Sequence, residues 1–180
     1  MKKTCLFIAL LVAVSVSGQN NSSSPCWHLQ QDEVYNFSFF YPDDWTLKLP
    51  GTNTRFFVTS PVESDNDMFR ENVNLLVKKA GAGETSVKTA EANIKSTLSA
   101  NLKNFKVIRS VYLKWNNLET YNIEYTCTQS SEGKDYNLHM SQWITISKGN
   151  LFVFTYTAEA AVYEKFITTV ERIFESIVIE

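Results

Sequence analysis

Residues 117–177 constrain the fold more than any other stretch, because they combine strand patterns with one strongly amphipathic helix. Residues 151–156 are apolar or aromatic on both alternating faces, which predicts a strand covered above and below. The residues that follow form one apolar stripe at helical spacing, namely Tyr163, Phe166, Ile167, Val170, Ile173, Phe174 and Ile177. We therefore expect a β-sheet with this strand at its centre and this helix on one face.

Three short turns set the order of the strands around that centre. Asn116 and Asn117 suit a two-residue hairpin, because asparagine tolerates positive φ. Residues 130–135 are expected to form a wider polar turn, and Lys148-Gly149 another tight hairpin. Consecutive strands joined in this way form an antiparallel meander. A second helix, from Thr85 or Ser86 to about residue 103, has its own apolar stripe. The predicted class is α+β, an antiparallel meander between two helices in an α/β/α sandwich.

The N-terminus has the features of an export signal. Lys2 and Lys3 precede an apolar run over residues 6–16, and small residues end at Gly18. This run is too short to cross about 30 Å of hydrocarbon. We therefore predict a signal peptide over residues 1–18, a flexible segment over 19–32 and one domain over 33–180. The expected location is periplasmic or secreted, with no integral membrane span after signal cleavage.

Charge and cysteine usage limit the function further. The formal net charge is −2 and the sequence has no concentrated basic run, which argues against a nucleic-acid binder. After cleavage two cysteines remain, Cys26 and Cys127. Outside the cytoplasm they form a candidate disulfide. The alternative is a buried apolar Cys127 on a strand and an unpaired Cys26 in a tail.

Candidate catalytic groups are few. The sequence has two histidines, His28 and His139, and only His139 lies on a predicted strand, where it shares a face with Ser141 and Trp143. A Ser/His/Asp site would need His139 as its base, but no Gly-x-Ser-x-Gly motif accompanies it. A partly covered strand histidine is the simpler interpretation. We predict no catalytic residues.

Candidate binding groups cluster in an acidic loop and at two tryptophans. Asp65, Asp67 and Glu71 supply the oxygen ligands that hard cations take, although the loop lacks an EF-hand pattern. A solvated loop in which Arg70 pairs with a neighbouring carboxylate is the alternative. The candidate aromatic contacts are Trp45 and Trp143, since tryptophan is enriched in binding hot spots, with core packing as the other use of both.

Three segments together resemble the PsbP-like family. They are residues 39–45 (Phe-Phe-Tyr-Pro-Asp-Asp-Trp), residues 60–61 (Ser-Pro) and residues 71–75 (Glu-Asn-Val-Asn-Leu). The strand at 151–156, the helix with Tyr163 and the closing Ser176-Ile177 are also similar to that family's C-terminal half. The resemblance covers roughly residues 33–179. It implies the Mog/PsbP-like sandwich and, since most members are non-enzymatic accessory or binding proteins, a similar role.

Two functional hypotheses follow. The first is an exported, non-enzymatic accessory protein that docks on a protein partner and uses no cofactor. The second is a metal-binding protein or metal-dependent hydrolase that uses a divalent cation in the acidic loop together with His139. Function is argued from sites rather than from fold, and the missing catalytic groups favour the first hypothesis.

Overall fold

The computed structural model describes residues 26–65, 67–131 and 133–180. The predicted signal peptide, residues 1–18, lies outside the described residues. Within them the chain forms ten strands and two helices: β1 (Trp27–Asp32), β2 (Phe37–Pro42), β3 (Thr46–Lys48), β4 (Thr54–Thr59), β5 (Asn72–Lys79), α1 (Val87–Asn101), β6 (Lys103–Trp115), β7 (Leu118–Ser131), β8 (Lys134–Ser147), β9 (Asn150–Glu159), α2 (Tyr163–Glu175) and β10 (Val178–Ile179).

The main sheet has the strand order β3-β4-β5-β9-β8-β7-β6, and every neighbouring pair is antiparallel. The predicted meander is confirmed for β6 to β9, and β9 lies at the centre of the sheet. Its tight turns have the predicted backbone: φ is 46° and 64° at Asn116 and Asn117, and 50° and 73° at Lys148 and Gly149. Two-residue turns with positive φ match the twist of the strands that they join.

The central strand contributes to a core on each face of the main sheet. Phe154 and Tyr156 lie with α2 residues Val170 and Ile173 in one cluster, which we call the α2-side core. Leu151 lies in the other cluster, the α1-side core, whose members include Val87, Tyr121, Ile123, Tyr125, Cys127, Leu138 and Ile144. The alternation of β9 therefore supplies both hydrophobic layers. The predicted antiparallel α+β class is confirmed.

A single sheet does not account for all the strands. β1, β2 and β10 form a separate small sheet in the order β1-β2-β10. Phe37 and Phe39 of β2 pack into the α2-side core, where the rings of Phe39 and Phe56 stack with centroids 3.9 Å apart. Tyr35, Phe37, Phe39 and Tyr41 recur at every second position, a pattern that predicts a strand with one buried face, and β2 is that strand. The alternation does not show which sheet the strand joins, because a strand that pairs with the main sheet and one that only packs against it have the same alternating pattern.

The predicted flexible segment at 19–32 is wrong for residues 27–32, which form β1. This strand pairs antiparallel with β2, from Trp27 opposite Pro42 to Asp32 opposite Phe37. Asp32 also accepts a 2.7 Å hydrogen bond from Arg55 Nε. The sequence of β1 is mostly polar, half of its residues are exposed and Trp27 packs against the α2-side core, so backbone pairing holds most of the strand in place. Such a strand leaves no hydrophobic periodicity to read.

The two helices differ in how they begin and how deeply they pack. Ser86 caps α1 in a capping box with Thr89, as the sequence indicated, yet only Val87 and Ala90 of this helix are buried. α2 begins at Tyr163 rather than near 159, because β9 continues to Glu159. Neither helix among the described residues has the length and hydropathy needed to cross a bilayer.

Candidate functional site

His139 lies in a cluster built by strand register. β7 and β8 pair with Thr126 opposite His139 and Glu124 opposite Ser141, so these side chains share the face that carries α2. His139 Nε2 lies 2.8 Å from Glu124 Oε1, and Arg109 Nε on β6 donates to Glu124 Oε2 at 2.6 Å. The side chains of His139 and Glu124 are 14% and 12% exposed. Glu124 therefore receives a partner at each carboxylate oxygen.

Tyr163 at the start of α2 closes this cluster. Its ring stacks on the His139 ring with centroids 3.5 Å apart and an interplanar angle of 11°. Tyr156 donates from its hydroxyl to the backbone carbonyl of Tyr163 at 2.9 Å, which fixes the helix start above the sheet. Burial raises the pKa of the Tyr163 hydroxyl to about 12, so this group stays neutral at physiological pH.

The electrostatics of the cluster favour a fixed ion pair. Burial alone raises the pKa of Glu124, but the hydrogen bonds from Arg109 and His139 outweigh it and the pKa is lowered. The nucleophile candidate on the same face, Ser141, is buried, and its Oγ accepts from Asn122 Nδ2 at 3.3 Å. A hydroxyl that reacts with substrate must be reachable, and this one is enclosed. The cluster thus orients a histidine without presenting a nucleophile.

The acidic loop divides into exposed and buried parts. Asp65 is exposed, and Asp67 Oδ2 accepts from the backbone N–H of Glu63 at 3.0 Å. Arg70 Nε is buried and has no hydrogen-bond partner among the described residues. Across residues 26–65, 67–131 and 133–180, no three His, Cys, Asp or Glu side chains are grouped closely enough to hold a metal ion. Cation binding by this loop stays a prediction.

Glu71 is a buried acid rather than a surface ligand. Its Oε2 accepts from Ser60 Oγ at 3.3 Å. Burial raises its pKa, against the lowering effect of hydrogen bonds from the backbone N–H groups of Glu71 and Glu159. A carboxyl held this way links the end of β4 to the start of β5 and the end of β9.

The two candidate tryptophans have different surroundings. Trp45 is buried in the α2-side core, where its ring meets Phe166 edge-on with centroids 5.8 Å apart. Trp143 is also buried, and its ring stacks on Phe174 at 4.9 Å. Trp143 in addition lines a groove of about 370 Å³ between β6 and α2. The alternative of core packing therefore describes Trp45, while Trp143 combines packing with a position at a groove.

The two cysteines are free thiols in the structure. Cys127 is buried in the α1-side core, with its Sγ 3.8 Å from Met140 Sδ. Cys26 is exposed and precedes Trp27, which packs against the other core. The candidate Cys26–Cys127 bridge is not formed in the structure, which instead has the alternative arrangement of a buried Cys127 and an unpaired Cys26.

Strand β6 is the most exposed regular element of the main sheet and lies at its edge. Four of its large apolar side chains are 37–50% exposed, namely Val107, Ile108, Val111 and Tyr112. The opposite edge is β3, which has only three residues. The sequence indicated a strand here without indicating its exposure. The available signal was Lys103, Lys106, Arg109 and Lys114, which interrupt the apolar alternation expected of a covered strand.

Comparisons with known proteins identify the family of this chain and structures with a similar fold. The sequence matches the PsbP family over residues 29–179. The chain belongs to the PsbP family. Among solved structures, this PsbP-family chain is similar to cyanobacterial PsbP (CyanoP) from Synechocystis sp. PCC 6803, with a TM-score of 0.62 and 13% identity over 92% of this chain and 99% of that one. No curated protein matches it in sequence.

Two further structures have the same fold as this PsbP-family chain. A protein of unknown function, PA94 from Pseudomonas aeruginosa, described as a putative regulator, aligns with a TM-score of 0.60 and 13% identity over 86% of this chain and 97% of that one. LpqN, involved in cell envelope biogenesis of Mycobacterium tuberculosis, aligns with a TM-score of 0.52 and 13% identity over 88% and 87%. At such identity these likenesses establish the fold alone.

Proposed function

We propose that this PsbP-family chain is an exported, non-enzymatic accessory protein that acts by docking on a protein partner. The observation that carries the proposal is β6, a 13-residue strand at the edge of the main sheet that is paired on one side only and bears four large apolar side chains that are 37–50% exposed. A long edge strand with unpaired backbone groups and exposed apolar side chains is a template on which another chain can pair. Docking through such a surface needs no cofactor.

The enclosure of His139 supports the non-enzymatic part of the proposal. Both its stacking on Tyr163 and its contact with Glu124 are interactions that stabilise a fold. A general base must reach the proton that it removes, directly or through one water. The metal-dependent hydrolase is the weaker candidate, because the grouping of ligands that it needs is not found among the described residues.

The architecture and the location belong to the same proposal. We interpret the fold as the α/β/α sandwich because α1 and α2 contribute to cores on opposite faces of the main sheet. Export is supported by the predicted signal peptide and by this chain's likeness to LpqN, whose description refers to the cell envelope. We therefore place the mature chain in the periplasm or outside the cell.

Photo-crosslinking in the native host tests the proposal. A photoreactive phenylalanine derivative is placed at one of three exposed positions, Tyr112 on β6, Met68 in the acidic loop or Val34 before β2. We expect a discrete protein adduct from at least one position at the natural level of expression. The proposal is refuted if no position gives an adduct and the purified chain hydrolyses an ester or phosphate in a His139-dependent way.

A further inference from the structure

We infer that the outer edge of β6 is a β-augmentation site for an extended acidic segment of a partner protein. The inference rests on the proposed docking function and names the surface and the chemistry of its partner. β6 is 13 residues long and is paired on one side only, with β7. A long unpaired edge presents a row of backbone N–H and C=O groups to which another strand can pair.

Only part of this edge has regular geometry. The pairing of β6 with β7 is irregular between Lys103 and Lys106 and again between Val107 and Arg109. From Arg109 to Trp115 the register then continues without interruption, ending at Leu118. Bulges bend a strand and interrupt its ladder, so an added strand finds a continuous template along residues 109–115.

The side chains of β6 divide the α2-facing surface into a cationic half and an apolar half. Residues opposite each other in an antiparallel pair point to the same face. Lys106 and Arg109 pair with Thr126 and Glu124, on the face that carries α2. Val111 and Leu113 follow on that face and, with Trp115, form one wall of the groove of about 370 Å³.

The opposite wall and the floor of the groove are aromatic and acidic. Phe174 stacks on both Trp115 and Trp143, at 4.6 and 4.9 Å between centroids. Glu171 and Glu175 of α2 lie at its rim. An apolar side chain therefore suits the groove, and a second carboxylate there would be repelled. Carboxylates of the partner belong opposite Lys106 and Arg109 instead.

Charge decides between a second copy of this chain and a different partner. β6 carries four cations, Lys103, Lys106, Arg109 and Lys114, and no acidic residue. Lys103 and Arg109 already pair with Asp135 and Glu124, so pairing two β6 edges would bring together two Lys106 and two Lys114 side chains with no carboxylate on β6 to offset them. Edge lysines are a common means of preventing such self-association. An extended segment with carboxylates at one end and an apolar residue at the other complements both halves of the surface.

A pair of designed peptides tests this site. The probe is a capped nine-residue peptide with Phe and Val at its second and fourth positions, Glu at its sixth and eighth, and Thr elsewhere. Its counterpart has Lys in place of Glu. Each is titrated into the isotope-labelled mature chain, and backbone amide shifts are followed by NMR. We expect the Glu peptide alone to shift the amides of residues 106–115 and the Trp143 indole signal.

A substitution on β6 and a control on β5 test whether the Glu peptide binds at this edge. Lys106→Glu is expected to weaken binding of the Glu peptide by about tenfold, because a long cationic side chain beside the end of the continuous template becomes an acidic one that repels the peptide's carboxylates. The matched control Lys78→Glu alters an exposed lysine of β5 and should bind as the wild type does. Equal binding of both peptides, no binding, or shifts that map away from β6 each overturn the inference.

Other occupants give distinct results. Shifts of β6 amides that depend on the concentration of the chain alone identify a second copy, and shifts induced by vesicles containing an anionic lipid identify a membrane surface. Both overturn the inference. A partner that crosslinks through Met68 or Val34, with no peptide binding at β6, overturns this site and leaves the proposed docking function intact.

Discussion

Replacing His139 should lower stability rather than remove a chemical step. His139→Ala removes the 2.8 Å hydrogen bond to Glu124 and the stacking on Tyr163. A hydrogen bond to a charged group contributes about 1.5–3 kcal/mol, and an aromatic stack adds about 0.5–1.5 kcal/mol. Because Arg109 still pairs with Glu124, we expect a loss of about 2–4 kcal/mol in the free energy of unfolding.

Urea unfolding followed by tryptophan fluorescence and circular dichroism measures this loss. His139→Phe retains the stacking and should lose less than His139→Ala by about 1 kcal/mol. The matched control is His28→Ala, which alters an exposed histidine of β1 and should change stability by about 0.5 kcal/mol or less. If His139→Ala unfolds at the same urea concentration as the wild type, the cluster is not the stabilising contact described above.

Three further predictions concern the buried acids and the core. Because burial raises the pKa of Glu71, the stability of the wild type should fall as pH rises through that raised pKa. In urea unfolding between about pH 4 and pH 8, the stability of Glu71→Gln should therefore increase relative to that of the wild type as pH rises. A difference that stays constant with pH would contradict this. The pKa of Glu124 is lowered, so this residue stabilises the fold at pH values above the ordinary pKa of a glutamate, and the stabilisation should be lost on acidification. Glu124→Gln should therefore make the free energy of unfolding fall less steeply at acidic pH than in the wild type. An unchanged acid dependence would refute the role given to Glu124. Phe154→Ala in the central strand should lower the free energy of unfolding by about 3–5 kcal/mol, as measured by chemical denaturation. The control Val34→Ala, at an exposed position, should lower it by about 0.5 kcal/mol or less. Similar losses for both variants would show that the core is misassigned.

Local chemistry determined the parts of the fold that the sequence predicted. The positive-φ asparagines at 116–117, the Lys148-Gly149 turn and the Ser86 cap each act within a few residues, so they can be read directly. The two-faced apolar pattern at 151–156 likewise identified the central strand. The small sheet could not be predicted, because β1 is polar and β2 packs onto the main sheet without pairing with it.

The candidate site depended on contacts between distant residues. Glu124 and His139 meet because the turn between β7 and β8 sets their register, and strand patterns alone do not determine which residues of neighbouring strands lie opposite each other. The stacking of Tyr163 on His139 depends on where α2 begins, and helix boundaries are poorly defined by periodicity. The exposure of β6 is a property of sheet order, which strand patterns do not contain.

The central claim is that the chain docks and does not catalyse, and partner retention by a His139→Phe variant tests it most directly. The wild type, His139→Phe and Lys106→Glu are expressed at natural level in a host that lacks the chromosomal copy, and the crosslinked partner is quantified by mass spectrometry. We expect His139→Phe to retain the partner and to restore the function lost with the chromosomal copy. A folded His139→Phe protein that binds the partner normally but fails to restore function would contradict the claim, because it would assign chemistry to that histidine.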